Sequence, residues 1–277
     1  LTDLIALNDV EAQAREGWRL GAELCTKCDA YHQAWGILRV AKAMAGISND
    51  DSFLTPMIDE LVRPDSHVFI AGSADAGLLQ LVVNSSTARP IRVTVVDRCP
   101  SPIALIDRVA IPDGVTVDAH TADLTTLDEQ GRYDLILSHS MLPFVDDATR
   151  VAILRRFRAS LTEGGRLLLV VRTAPLAPEE VRKEHGDAWL AQALKKLEAR
   201  PDLIEFCGDT LNDRVAQNAA ARARRAYAFK ETSEIVDMLA RGGFAVERQL
   251  LSRESGALQV RGERIAKQGH IFVARPA

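Results

Sequence analysis

No apolar run in this 277-residue chain comes near the roughly 20 residues needed to cross a bilayer; strongly apolar stretches such as Leu167–Val171 fall far short. An excess of positive charge is also missing. With 34 basic against 38 acidic residues and a net charge of −4, nothing draws the chain as a whole to nucleic acid or an anionic membrane. Four cysteines are too few for a disulfide framework. Asp3, Asp9, Glu11, Arg15 and Glu16 interrupt any signal-peptide-like apolar segment in residues 1–30. Repeats and low-complexity tracts are absent. These absences predict a cytoplasmic protein whose partner is a small molecule, with no nucleic acid and no membrane. What remains, 47% apolar and 26% charged residues, is ordinary for a globular enzyme. At roughly 150 residues per domain the length suits a single core with additions.

The most informative stretch is Val68-Phe69-Ile70-Ala71-Gly72-Ser73-Ala74-Asp75-Ala76-Gly77, followed by Val93-Thr94-Val95-Val96-Asp97. An apolar run stops at a glycine, small residues turn the chain into a helix, and a second apolar run ends on a carboxylate. Small residues let a backbone approach a ligand closely, and the opening N–H groups of a helix attract negative charge. A carboxylate about 20 residues on can accept the hydroxyls of a ribose. This order describes a nucleotide site.

Residues 2–47 read as helices, with Leu20, Leu24, Tyr31, Leu38 and Ala41 at roughly helical spacing, and Asp51 or Ser52 is placed to cap a third helix over 53–62. Five apolar runs follow, at 67–71, 91–96, 115–119, 133–138 and 166–172, separated by candidate helices at 76–84, 101–108 and 147–161. Strands alternating with helices predict an α/β, doubly wound and mostly parallel sheet. Residues 175–230 change to charged helices, with Pro178-Glu179-Glu180 a start and Arg200-Pro201-Asp202 a break, and read as an insertion. A helix from Thr232 to Gly242-Gly243 then precedes strands at 244–251 and 270–275. With no helix between them, these two strands should pair as an antiparallel edge hairpin.

In this order the motifs resemble the class I S-adenosylmethionine (SAM) dependent methyltransferases, from about Val68 to the C-terminus. The resemblance implies a Rossmann-like, seven-stranded sheet with an antiparallel C-terminal edge. It also implies a SAM-binding core at 66–277 carrying the helical insertion 175–230, and a helical N-terminal cap at 1–65. Gly72, Ser73 and Ala74 would lie under the methionine part of SAM, Asp97 would take the ribose hydroxyls, and Arg98 would flank the adenine. In Thr121-Ala122-Asp123-Leu124 the Asp123 carboxylate would accept from the exocyclic amine beside Leu124. Tyr133–Ser138 and Leu142-Pro143-Phe144 look like the fourth strand, with Ser138 at the cofactor, and its following turn. Leu161–Leu169 looks like the glycine turn into the fifth. The activity implied is methyl transfer to an O, N or C atom of a small molecule. Departures stand in the loop: Ile70 replaces an acid, Ala74 and Ala76 replace glycines, and Asp75 is the acid nearest to hand. Gly72-x-Ala74-x-x-Gly77 with Asp97 also fits a relaxed dinucleotide fingerprint, which leaves an NAD(P)-dependent oxidoreductase as one alternative, and Ile70, Ala74 and Ala76 leave a non-catalytic SAM-binding module as another.

His139 and Ser140 should sit in the crevice beyond the fourth strand, making His139 a candidate catalytic group. Tyr31 and Trp35 lie one turn apart with His32 between them, so Tyr31 and His32 are further candidates for orienting an acceptor. Cys25-x2-Cys28 with His32 offers three ligands where a structural zinc needs four, and Cys99 and Cys207 stand alone, so no metal is expected. Arg222-Ala223-Arg224-Arg225 reads as a solvated helix face.

Overall fold

The computed structural model describes residues 4–25, 28, 31–44, 46–174, 179–225, 229–260 and 263–277; the side chains of 179–182, 221–225, 255–260, 263, 265 and 266 lie outside the description. The chain runs β1 (Ile5–Ala6), α1 (Val10–Leu24), α2 (Tyr31–Val40), α3 (Asp51–Leu61), β2 (His67–Ala71), α4 (Gly77–Ser85) and β3 (Ile91–Asp97). It continues through α5 (Pro100–Ile106), β4 (Val109–Ala110), β5 (Val115–Thr121), β6 (Tyr133–His139), α6 (Asp147–Ser160) and β7 (Leu161–Thr173). Helices α7 (Glu179–Glu198), α8 (Pro201–Cys207), α9 (Leu211–Arg225) and α10 (Thr232–Arg241) then lead to β8 (Phe244–Leu251), β9 (Ser255–Val260) and β10 (Glu263–Pro276).

The main sheet has the order β5-β3-β2-β6-β7-β10-β8. Its first five strands are parallel, and β10 runs antiparallel to both β7 and β8. The expected antiparallel pair is present, but the last strand of the chain lies inside the sheet and β8 forms the edge. The outer half of β10 also pairs with β9. That ladder was not legible because Ser255-Gly256-Ala257-Leu258-Gln259-Val260 has little β-branched or aromatic content.

Period-2 alternation sorts the strand side chains between two faces. Val68, Ile70, Val93 and Val95 pack with Leu54 and Ile58 of α3 and with Leu79 and Val82 of α4. Phe69, Ala71, Ile136 and Leu169 pack on the other side with Leu154 and Phe157 of α6 and with Ile235 and Leu239 of α10. Burial on both faces explains why β2 is apolar or buried throughout. The loops at the carboxyl ends of β2, β3 and β6 therefore stand side by side on a rigid base.

A third core joins Trp18, Ile37 and Leu38 of α1 and α2 to Leu197, Leu203 and Val215 of α7, α8 and α9. Close approach of α1 and α2 rests on Gly36, where a Cβ would lie 2.8 Å from the Ala14 Cα. The N-terminal helices and the insertion thus share one apolar interior, whereas α3 belongs to the layer over the sheet. Two local expectations need correction. The stretch 2–47 is not wholly helical, because Ile5 and Ala6 pair in parallel with Val109 and Ala110. Helix α3 starts at Asp51 with Asp50 in the N-cap position, yet Asp50 makes no capping bond, since its carboxylate is engaged elsewhere. Residues 175–178, including the expected Pro178 start, and the side chains of Arg222, Arg224 and Arg225 lie outside the described residues. Among the described residues no helix is long and apolar enough to cross a membrane.

Candidate functional site

The loop leaving β2 turns on Gly72, whose φ of +78° is open to glycine and strained for other residues. A Cβ at this position would lie 2.7 Å from Met141 Cγ, so sterics and backbone both demand glycine. The Gly72 N–H donates to the Val96 carbonyl at 2.8 Å. Ser73 N–H donates to Asp97 Oδ2 at 3.0 Å, and Cys99 N–H donates to Asp97 Oδ1 at 2.7 Å. One carboxylate thereby fixes the turns after β2 and β3. Each of its oxygens has a second lone pair, so Asp97 can also accept a pair of hydroxyls.

The departures in this loop have structural explanations. Ala76 has φ −75°, and neither it nor Ala74 adopts the left-handed region, so glycine is not required at either. Ile70 is fully buried in the core over the sheet, where an acid would be stranded. Asp75 does not stand in for the missing acid. Its carboxylate accepts from Trp35 Nε1 at 3.1 Å and Gly77 N–H at 2.8 Å, and it pairs with Arg39. It fastens α2 to the loop.

Asp123 Oδ1 accepts from the Thr125 N–H at 2.9 Å and Thr125 Oγ1 at 2.7 Å, capping the turn 124–126. These Thr125 bonds hold its carboxyl below the usual range. Leu124 is buried beneath that turn, and Arg98 is exposed.

His139 ends β6, which pairs with β2 so that His139 stands beside the Gly72 turn. Its Nε2 lies 2.8 Å from Asp50 Oδ2, which also accepts from the Arg172 guanidinium at 2.7 Å. Burial opposes ionisation of Asp50, yet the His139 hydrogen bond and the Arg172 charge hold its pKa well below the usual carboxylate range. Burial pushes the His139 imidazole below its ordinary value, outweighing the Asp50 hydrogen bond. At neutral pH the pair is therefore a carboxylate and a neutral imidazole, with Nε2–H donating to Asp50 and Nδ1 left as the acceptor. Ser138 Oγ and Ser140 Oγ, on either side of His139, are buried without a hydrogen-bond partner, and Ser140 has φ +56°. Orphaned hydroxyls and a left-handed non-glycine residue beside the Gly72 turn are marks of a candidate ligand-facing segment. Sequence reasoning missed Asp50 and Arg172: an acid before a helix reads as a cap, and Arg172 as the end of a strand.

The Tyr31 ring packs edge-on against Phe144 at 5.2 Å and tilted against Trp35 at 5.3 Å, while its carbonyl accepts from Asn218 of α9 at 3.1 Å. Tyr31 thus stands where α2, α9 and the turn after β6 meet. His32 points elsewhere: Nδ1 lies 3.2 Å from Cys28 Sγ, and Nε2 lies 3.9 Å from Asp97 Oδ1. The expectation that Cys99 stands alone is wrong. The turn after β3 brings Cys99 Sγ to 3.9 Å from Cys28 Sγ, so the ligand atoms of Cys25, Cys28, His32 and Cys99 all lie within 4.8 Å of one another. Cys207 is buried in α8, outside this group.

The strand order, with an antiparallel strand inserted next to the edge, and the joined turns after β2 and β3 define the Rossmann-like methyltransferase fold. Residues 75–165 match the family described as "Methyltransferase domain". Among solved structures, the mitomycin 7-O-methyltransferase MmcR is similar with a TM-score of 0.51 and 17% identity, over 94% of this chain and 60% of that one. A candidate methyltransferase from Bacillus halodurans C-125 is similar with a TM-score of 0.51 and 13% identity, over 82% of this chain and 99% of that one. No curated protein matches the sequence significantly. The chain spans 60% of the mitomycin enzyme's length, and at these identities the likeness is one of fold. Within residues 75–165 the chain carries a methyltransferase domain.

Proposed function

We propose that the chain moves the methyl group of SAM to an O, N or C nucleophile of a small-molecule acceptor. The observation that carries this reading is the double use of Asp97, which fixes the Gly72–Ser73 turn and keeps free lone pairs for ribose hydroxyls. In this reading Gly72, Ser73 and Ala74 bear the methionine portion, Arg98, Asp123 and Leu124 border the adenine, and Ser138 faces the cofactor. SAM supplies an activated methyl group when bound.

The work left to the chain is alignment. Positioning is worth roughly 7–11 kcal/mol, whereas a general base adds about 10²–10⁴-fold, or roughly 3–5 kcal/mol. Tyr31, Trp35 and Phe144 form the aromatic wall against which a flat acceptor is oriented, and Asp75 with Arg39 keeps that wall against the cofactor loop. His139 Nδ1 takes a proton from an oxygen or nitrogen nucleophile, with Asp50 holding the tautomer. His32, turned toward Asp97 and the cysteines, has no part in proton transfer. A small acceptor agrees with the net charge of −4 and with the name of the mitomycin enzyme. The cleft of about 620 Å³ on the insertion is lined by α7–α9 and the intervening turn, including Leu197, Ile204 and Leu211, with no residue of the cofactor loop, and is not assigned to the acceptor.

Native mass spectrometry of the purified chain tests the cofactor directly. The expected result is a retained or added mass of SAM or S-adenosylhomocysteine; retention of a nicotinamide dinucleotide instead would overturn the reading. With an acceptor in hand, His139→Gln should lower turnover by about 10²–10⁴ for an oxygen nucleophile while leaving SAM affinity unchanged.

A further inference from the structure

The cysteine–histidine cluster at the foot of α2 is not used by the proposed transfer. We propose that Cys25, Cys28, His32 and Cys99 form a closed tetrahedral site for zinc or a metal of the same class, clasping the turn between α1 and α2 to the turn after β3.

Three observations carry this inference. The first is the donor set, since three thiols and one imidazole are among the combinations that hold structural zinc, and Cys25-x2-Cys28 has the customary spacing for a ligand pair. The second is distance. Metal–sulfur bonds of about 2.3 Å and metal–nitrogen bonds of about 2.0–2.1 Å in a tetrahedron imply ligand–ligand edges of roughly 3.5–3.8 Å. Cys28 Sγ to Cys99 Sγ is 3.9 Å, Cys25 Sγ to His32 Nδ1 is 3.8 Å, and Cys28 Sγ to His32 Nδ1 is 3.2 Å. The first two edges have the size of a coordination shell, the third is about 0.3 Å short of it, and the Cys25–Cys28 edge would have to open from a covalent bond to the same length. The third is what lies behind the histidine. With Nδ1 facing the sulfurs, Nε2 faces the Asp97 carboxylate at 3.9 Å, longer than a hydrogen bond but on the side from which a carboxylate orients a ligating imidazole once the two close up.

Cys25 and Cys28 are joined as a disulfide in the structure. Metal binding requires the dithiol form. Two-electron reduction breaks the S–S bond and gives two thiols: a dithiol supplies both hydrogens and becomes a disulfide, or a phosphine becomes its oxide with water supplying the oxygen and both protons. Loss of the thiol protons to solvent on coordination gives the thiolate ligands. Metal occupancy and the Cys25–Cys28 bond therefore exclude each other. Because Asp97 touches both His32 and the Gly72–Ser73 turn, the metal would hold the N-terminal helices at the cofactor loop.

The test uses the whole chain, reduced with a phosphine and freed of metal by a chelator. Titration with Co(II) alone should reach a plateau at about one equivalent, with an intense thiolate-to-cobalt charge-transfer band and the visible bands of a tetrahedral centre, and Zn(II) should displace both. Chain purified under reducing conditions should carry about one zinc by elemental analysis, falling to background in Cys99→Ser and persisting in Cys207→Ser. Circular dichroism of each variant separates lost ligation from lost folding, and the cobalt titration of the parent needs no variant. A reduced, folded parent that shows no charge-transfer band would overturn the proposal. So would a band that survives unchanged in both Cys99→Ser and His32→Ala. These readouts do not depend on methyl transfer, so they stand or fall apart from the proposed activity.

Discussion

Replacing Asp50 by asparagine should destabilise the fold far more than loss of a helix cap. The Asp50 side chain is fully buried, it accepts from His139 and Arg172 through one oxygen, and the Arg172 side chain is only 15% exposed. Asparagine keeps the shape and removes the charge, stranding a buried guanidinium, for which the cost is about 3–5 kcal/mol. At about 2–4 °C per kcal/mol for a chain of this size, Tm should fall by roughly 6–20 °C. An ordinary N-cap loss would cost only about 1 kcal/mol. Differential scanning calorimetry and urea denaturation at pH 7.5 would give both numbers. The double variant Asp50→Leu with Arg172→Met, which removes both charges, should recover much of the loss. A Tm for Asp50→Asn within a degree or two of the parent, or a double variant worse than the single one, would refute the buried-pair reasoning.

Three other outcomes follow from the same geometry. Gly72→Ala forces an L residue to φ +78° against Met141, so the fold should lose about 1–3 kcal/mol and SAM affinity should drop; Met141→Ala in the same chain should restore only the steric part. Stability should fall on mild acidification: with the His139 pKa depressed in the folded state, the unfolded chain binds the extra proton as pH drops below about 6.5, and His139→Gln should flatten that slope in urea midpoints measured at pH 7.5 and 5.5. Asp50, whose pKa is also depressed, adds a second loss as pH falls below about 4. Asp75→Asn should loosen α2 from the loop by weakening the bonds from Arg39 and Trp35, which hydrogen exchange would register as faster opening of 31–40 with β2 unchanged.

The elements of the sheet were legible because the constraints on them are local. Buried parallel strands demand continuous apolar runs, and β2 begins and ends where the pattern places it. Gly72 and Asp97 were legible for a similar reason, since a turn residue and a strand-end acid fall at fixed spacing. Asp50 and Arg172 were not, because they are 122 residues apart and meet only when α3 folds over the end of β7. Cys99 was hidden in the same way. Nothing in the sequence near Cys99 resembles a ligand pair, yet the turn after β3 sets it beside Cys28. Asp75 shows the opposite failure: it reads as the acid nearest to the one missing at Ile70, and its carboxylate is instead occupied by α2.

Calorimetric titration of S-adenosylhomocysteine into the parent and into Asp97→Asn tests the central claim most directly. The charge-assisted bonds to the ribose hydroxyls are worth about 1.5–3 kcal/mol each, so the variant should bind at least about 10-fold more weakly. Equal affinity in a variant that keeps its fold by circular dichroism would contradict the assignment of this site.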